Sequence, residues 1–266
     1  MNASLGALIF ASFSLKGAEE LSTYEVPEST KDVHEEQFYN DSCRYESALS
    51  KLQIVFVVDK SGSQGAPDAH PQGLSTGKGM LGDTWTQWDN TFYAAKYLAE
   101  SVFEYDADGK VPLVFFGYNA EDKVVENAGQ MLVAFKKNKP TRETTNLLDA
   151  LQLGFNKYSK PSSPDEKILF IVLTDGCPNP GQPAQVKSLI QRHIQANHFS
   201  GDQFNILFLR IGDDPGAVAF LQDLDDCKDI GDWVDTKSDN MMYQMGPKNL
   251  ILNAIYEHLD SKYQEQ

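Results

Sequence analysis

The sequence predicts a doubly wound α/β fold, with a mostly parallel sheet, one antiparallel edge strand and helices on both faces. Several runs are continuously apolar and rich in β-branched residues, which is typical of strands buried on both faces of a parallel sheet. Helical segments separate these runs, and that alternation predicts a parallel sheet covered on both faces. The four runs are IVFVV from Ile54, VPLVFFG from Val111, ILFIVLT from Ile168 and FNILFLRI from Phe204.

Composition narrows the class of protein. The chain has 266 residues, of which 41% are hydrophobic, enough for a substantial core and too many for global disorder. It carries 23 basic and 38 acidic residues, a formal net charge of −15. Such a surface repels phosphate backbones, so we expect no nucleic-acid partner.

The chain divides into an N-terminal extension, residues 1–50, and one domain, residues 51–262. Lys16–Ser47 is charged and polar with little periodicity, so we interpret it as an extension that wraps the domain. No internal repeat or second domain boundary is visible in the rest of the sequence.

Two features bear on the compartment. The three cysteines are far apart, odd in number and contain no CxxC pair, which favours a reducing compartment and predicts a cytoplasmic protein. The apolar segment Leu5–Leu15 is too short to span a bilayer. It could instead be the core of a signal peptide within residues 1–18, although no Lys or Arg precedes it. Secretion is therefore the alternative.

The remaining elements follow from periodicity. Trp88 begins a series of apolar residues at helical spacing, which predicts a helix from about Gln87 to Phe103. Lys123–Glu126 is predicted to be the antiparallel edge strand. Further helices are predicted over Gly129–Lys136, from Thr145 and Asn146 onward, over Pro183–Asn197 and Ala217–Leu224, and through Ile251, Ile255 and Leu259. Asp232–Asp235 is predicted to border the last strand.

Oxygen-bearing side chains stand in three loops of the predicted fold. Asp59, Ser61 and Ser63 come directly after the first buried strand, Asp175 follows another, and Thr145 precedes a helix. The carboxyl ends of parallel strands are where open α/β sheets bind ligands. Carboxylates and hydroxyls are hard donors that suit Mg²⁺, Mn²⁺ or Ca²⁺ better than zinc. Each residue alone could simply be a helix cap or turn residue.

A long irregular segment, Gln64–Asp83, follows the first of these loops. It contains five glycines and two prolines. A structureless segment of this length in a compact domain is usually functional or mobile, so we expect it to border the site.

The combination resembles the von Willebrand factor A (VWA) domain with its metal-ion-dependent adhesion site, whose pattern is Asp-x-Ser-x-Ser, then Thr, then Asp. The matching stretches are DKSGS at Asp59, TTNLLDAL with Thr145 and LTDG with Asp175. The resemblance covers roughly Leu52–Leu259 and implies a Rossmann-like fold. Segments such as FEYDADGKVPLVFFG and DWVDT resemble the intracellular branch of that family.

The resemblance also implies roles for these residues. Ser61 and Ser63 would bind Mg²⁺, or Mn²⁺ or Ca²⁺, through their hydroxyls, and Thr145 would bind directly or through water. Asp59 and Asp175 would act mainly through water and hold the hydroxyls in place. The ion would keep part of its positive charge, and a carboxylate from a protein partner could complete its octahedral coordination.

The sequence departs from the family pattern at two places beside the predicted metal ligands. The threonine loop is usually rich in glycine, whereas Arg142, Glu143 and Thr144 stand here, so Thr144 is an alternative ligand. Gln64 follows Ser63 where an apolar residue is common.

Three functions remain open at this point. A metal-dependent protein-binding module is the interpretation we favour. A structural domain whose ion only ties loops together is the second. A metal-assisted hydrolase is the third, but no side chain is recognisably placed as a general base, so we expect no enzyme activity.

Overall fold

The computed structural model describes residues 49–68, 78–103, 109–141, 144–201 and 203–256. Six strands and seven α-helices lie wholly within those ranges. The strands are β1 (Leu52–Asp59), β2 (Val111–Phe116), β3 (Ala120–Val125), β4 (Lys167–Thr174), β5 (Phe204–Arg210) and β6 (Val234–Ser238). The helices are α1 (Gln87–Phe103), α2 (Ala128–Lys137), α3 (Leu147–Tyr158), α4 (Gln182–Asn197), α5 (Pro215–Asp225), α6 (Asp239–Met245) and α7 (Pro247–Ile255).

The six strands form one sheet in the order β3-β2-β1-β4-β5-β6. All neighbours are parallel except β3, which pairs antiparallel with β2 at the edge. Strand β1 is central, and Val57 aligns with Val114 of β2 on one side and with Val172 of β4 on the other. The connection after β1 leads to β2 on one side, and the connection after β3 leads to β4 on the other side. The carboxyl end of β1 therefore lies at the crevice where ligands bind in such sheets.

The two faces of the sheet bury separate cores, which explains the continuous apolar runs. Ile54, Phe56 and Val58 point to the face covered by α1, α2, α6 and α7. Val55 and Val57 point to the face covered by α3, α4 and α5. Since successive side chains of a strand alternate between faces, a strand buried on both sides must be apolar at every position.

The predicted fold class is confirmed. Helix α1 has the predicted bounds, whereas β3 begins at Ala120 rather than at Lys123, because Ala120 pairs with Phe116 directly after the turn. Helix α6 was not predicted. Its seven residues, capped by Ser238 accepting from Met241 N–H at 3.3 Å, are too few to produce a recognisable period. No helix within the described ranges is long and apolar enough to cross a membrane.

The two ends of the Gln64–Asp83 segment are anchored on α1. The buried carboxylate of Asp89 accepts hydrogen bonds from the backbone N–H of Met80 at 2.5 Å and of Thr86 at 2.8 Å. Asn90 donates to Asp68 at 2.9 Å. The middle of the segment, the extension before residue 49 and the end of the domain after residue 256 lie outside the described residues.

Candidate metal site at the carboxyl end of β1

Asp59 is the last residue of β1 and is fully buried. Its Oδ1 accepts the backbone N–H of Ser61 at 2.8 Å, and its Oδ2 accepts the hydroxyl of Thr174, the last residue of β4, at 2.8 Å. Burial raises the pKa of Asp59, and these hydrogen bonds oppose that shift. Because both oxygens are engaged by protein donors, Asp59 holds the β1 loop against the end of β4.

Two serine hydroxyls form a row between Asp59 and Asp175. Ser61 Oγ lies 3.0 Å from Ser63 Oγ, and Ser63 Oγ donates to Asp175 Oδ1 at 3.0 Å. Ser63 has one hydroxyl hydrogen, which is given to Asp175, so Ser61 is the donor within the serine pair. Ser63 then keeps an unused lone pair, and it is exposed whereas Ser61 is buried.

Asp175 follows β4 directly and is 3% exposed. Its Oδ2 is buried and has no hydrogen-bond partner among the described residues. Burial, and secondly the negative charge of Asp59, raise the pKa of Asp175 to about 7. Two buried carboxylates facing one row of hydroxyls therefore repel each other, and a cation beside them would relieve that repulsion.

The threonine loop lies at the same edge of the sheet but is held by different partners. Thr145 donates its backbone N–H to Asn179 Oδ1 at 3.1 Å and accepts the backbone N–H of Asn179 at 3.1 Å. Asn146 donates its backbone N–H to the carbonyl of Gly117 at 2.9 Å. Thr145 is half-buried and Thr144 is exposed. Arg142 and Glu143, where the loop departs from the glycine-rich pattern, lie outside the described residues.

Similar folds occur among solved structures. An aerotolerance-related membrane protein from Bacteroides fragilis aligns with 13% identity over 76% of this chain and 99% of its own, with a TM-score of 0.51. BatB, a conserved hypothetical protein from Bacteroides thetaiotaomicron, aligns with 13% identity over 73% and 96%, with a TM-score of 0.50. The SpRpn10 VWA domain gives 11% identity, 75% and 93% coverage and a TM-score of 0.47.

The chain has a VWA-like fold. At such low identity the likeness extends to the fold alone. No protein-family model and no curated protein matches the sequence. The ligand of the domain is therefore inferred from its own residues.

The residues of this VWA-like domain fit a divalent cation. The hydroxyls of Ser61 and Ser63 and the unpartnered Asp175 Oδ2 are hard oxygen atoms grouped at one point. Asp59, with both oxygens taken by protein donors, suits a supporting position that orients the hydroxyls. Thr145 would supply a further hydroxyl from the neighbouring loop.

Gln64, which departs from the family pattern in the sequence, supports the loop that carries the two serines. Gln64 is fully buried in the 3₁₀ turn Gly62–Gly65, and its Oε1 accepts the hydroxyl of Thr91 at 2.7 Å. That bond fixes the amide, whose Nε2, like Asp175 Oδ2, has no hydrogen-bond partner among the described residues. The nearby Gln64 side chain lowers the pKa of Asp175 against the larger opposing shifts. No local pattern marks this pair, because the two residues are 27 positions apart and meet only in the folded chain.

Cys177, two residues after Asp175, is an exposed free thiol. Burial and, secondly, the charge of Asp214 raise its pKa. Neighbouring carboxylates disfavour the thiolate form, so Cys177 is not activated as a nucleophile.

Proposed function

We propose that the domain is a divalent-metal-dependent protein-binding module. Mg²⁺, or Mn²⁺ or Ca²⁺ in its place, binds at Ser61, Ser63 and Thr145, with Asp59 and Asp175 in support. A protein partner donates a carboxylate to the ion. Both described cysteines, Cys177 and Cys227, are free thiols, which is consistent with the cytoplasmic location predicted from the sequence.

One observation carries the proposal. Asp175 Oδ2 is buried without a partner beside a row of hydroxyls, and a second buried carboxylate repels it. A buried acceptor left unpaired is costly, as is a pair of like charges, and a bound cation removes both costs.

The donor set also explains why the ion would attract a carboxylate. Three hydroxyls contribute no formal charge, and Asp59 and Asp175 support the ion mainly through water, so the ion keeps positive charge towards solvent, where Ser63 is exposed. The net charge of −15 repels an acidic partner at a distance. The screening length is about 8 Å at physiological salt, so the ion dominates at contact.

We propose binding rather than catalysis. Asp59 has both oxygens taken by protein donors, Asp175 is 3% exposed and accepts from Ser63 through Oδ1, and the thiol of Cys177 has a raised pKa. A hydrolase would need a free general base near the ion.

Capture of partners from a native lysate, with and without EDTA, tests the proposal. Wild-type protein should retain a partner only when divalent ions are present, and Ser63→Ala should lose it in both conditions. Ser188→Ala, an exposed serine on α4, is the matched control and should behave as wild type. A partner retained equally in EDTA would show that the binding surface lies elsewhere.

A further inference from the structure

A polar cavity lies at the opposite end of the sheet from Asp59. Its volume is about 240 Å³, and it is bordered by the amino ends of β5 and β6, the turn that follows α5, and the last turn of α7. Asn205 is the second residue of β5, so the cavity is separated from the candidate metal site by the length of the strands. Nothing in the proposed function involves this end of the molecule.

The floor of the cavity is built from buried polar side chains. Asn205 is 6% exposed, Asp235 is 8% exposed and Asn253 is 1% exposed. Neither the Oδ1 nor the Nδ2 atom of Asn253 has a hydrogen-bond partner among the described residues. An unpaired buried polar group costs about 1–3 kcal/mol, so an amide with two unpaired atoms needs an explanation.

The rim of the cavity is acidic. Asp225, Asp226 and Asp232 line it, and Lys228 is the one basic residue among the lining residues that the structure describes. The fourth lining aspartate, Asp235 on the floor, is paired with Lys237. Asp226 and Asp232 are exposed at the mouth, whereas Asp225 accepts the Thr236 hydroxyl at 3.0 Å. The field at the mouth therefore favours a positively charged group.

We propose that this cavity binds an arginine-like ligand, with its guanidinium group between the rim carboxylates and an amide or carbonyl group against Asn253. A guanidinium presents planar N–H donors that pair with two carboxylate oxygens at once, and it is weakly hydrated. An amide on the same ligand would supply both an acceptor and a donor for Asn253. A bare metal ion could use only the Oδ1 atom and would leave Nδ2 unpaired.

Titration with N-acetyl-L-arginine amide, followed by backbone amide NMR of the whole chain, tests the site. Saturable shifts are expected near Asn205, Asp232 and Asn253, and none near Ser63. N-acetyl-L-citrulline amide has nearly the same shape without the charge and should bind about tenfold more weakly. Equal affinity of the two ligands, no saturable shift, or stronger binding of Mg²⁺ than of the arginine amide at these residues would overturn the proposal.

Variants locate the binding further. Asp226→Asn and Asp232→Asn should each weaken binding about three- to fivefold, the range for an exposed charge pair. Asp229→Asn, in the same turn but outside the cavity lining, is the matched control and should have no effect. Asn253→Leu should abolish binding. If that variant fails to fold, the two rim variants decide, and unchanged affinity in both contradicts the site.

The same chemistry can come from a free compound or from an arginine residue of a partner. A peptide with one arginine between glycines, titrated beside the single-residue ligand, separates these sources. Tighter binding of the peptide assigns the site to a protein segment, and tighter binding of the single residue assigns it to a small molecule. Because the shifts are read at the far end of the sheet, failure here leaves the metal proposal untouched.

Discussion

The hydroxyl of Ser63 donates to Asp175 Oδ1 over 3.0 Å, and this bond joins residues 112 positions apart in sequence. The contact exists because β1 and β4 are parallel neighbours, with Val58 aligned with Leu173 just before the two loops begin. The candidate site is therefore a product of strand pairing in the centre of the sheet, and it forms only when the sheet has formed.

The pH dependence of stability should reveal Asp175. Its pKa is about 7 in the folded chain against a usual value of 3.8, so the folded state holds a proton that the unfolded state has lost between those limits. Without divalent ions, this group should lower stability as pH rises from about 4 to 7. Saturating Mg²⁺ should therefore raise the melting temperature more at pH 8 than at pH 5.

Other groups also titrate between about pH 4 and 7. The Mg²⁺ effect on the melting temperature must therefore be compared between wild type and variants. The pKa of Asp239 is raised to about 6, mainly by burial, and that of His193 is lowered to about 4 by burial, which acts in the opposite direction. Asp175→Asn should remove the pH dependence of the Mg²⁺ effect, whereas Asp239→Asn should keep it. A larger Mg²⁺ effect at pH 5 than at pH 8 would contradict the role of Asp175.

Gln64 and Thr91 should be energetically coupled. Their 2.7 Å hydrogen bond is fully buried, so Gln64→Met leaves the Thr91 hydroxyl without that partner, and Thr91→Val leaves Gln64 Oε1 unpaired. A double-mutant cycle in urea should give a coupling of about 1 kcal/mol. Gln64→Met should also weaken metal binding, and Thr91→Val less so. Additive effects of the two substitutions on stability would show that the bond contributes nothing.

Gly154 on α3 should not tolerate a side chain. A Cβ there would lie 2.8 Å from Cε1 of the buried Phe170 on β4. Gly154→Ala should lower the free energy of unfolding by about 1–3 kcal/mol, even though alanine is the better helix former. Gly82→Ala, which meets nothing within 4 Å, is the control and should be neutral. An unchanged urea midpoint for Gly154→Ala would mean that the helix shifts freely on the sheet.

The fold was predictable because its signals are local. An apolar run such as Ile54–Val58 reports burial on both faces, and the amphipathic spacing of Gln87–Phe103 defines a helix without reference to the rest of the chain. Helix α6 was not predictable, because its Met241, Met242 and Met245 form less than two turns and depend on tertiary packing. The start of β3 depends on pairing with β2, which a single segment does not encode.

The site was predictable only in part, for the same reason. Asp59, Ser61 and Ser63 stand in one short motif, and Asp175 directly follows a recognisable strand, so resemblance to a family could group them. Thr174, Gln64 and Asn179 act through contacts with distant residues, and no local pattern marks them. The cavity beneath β5 and β6 likewise assembles from four separate elements.

The row of hydroxyls at Ser61 and Ser63 is expected to bind a divalent ion. Calorimetric titration of Mn²⁺ or Mg²⁺ into wild-type protein and into the Ser61→Ala/Ser63→Ala double variant tests it most directly, with Asp59→Ala as a further variant. Ser188→Ala is again the control. Circular dichroism should show that the double variant keeps its fold, because Ser63 is exposed and the apolar cores do not involve either serine.

One ion should bind per wild-type and control chain. The double variant should lose at least about 2–3 kcal/mol of binding energy, since two ligands to a charged group are removed. Equal binding of divalent ions by wild type, the double variant and Asp59→Ala would contradict the assignment.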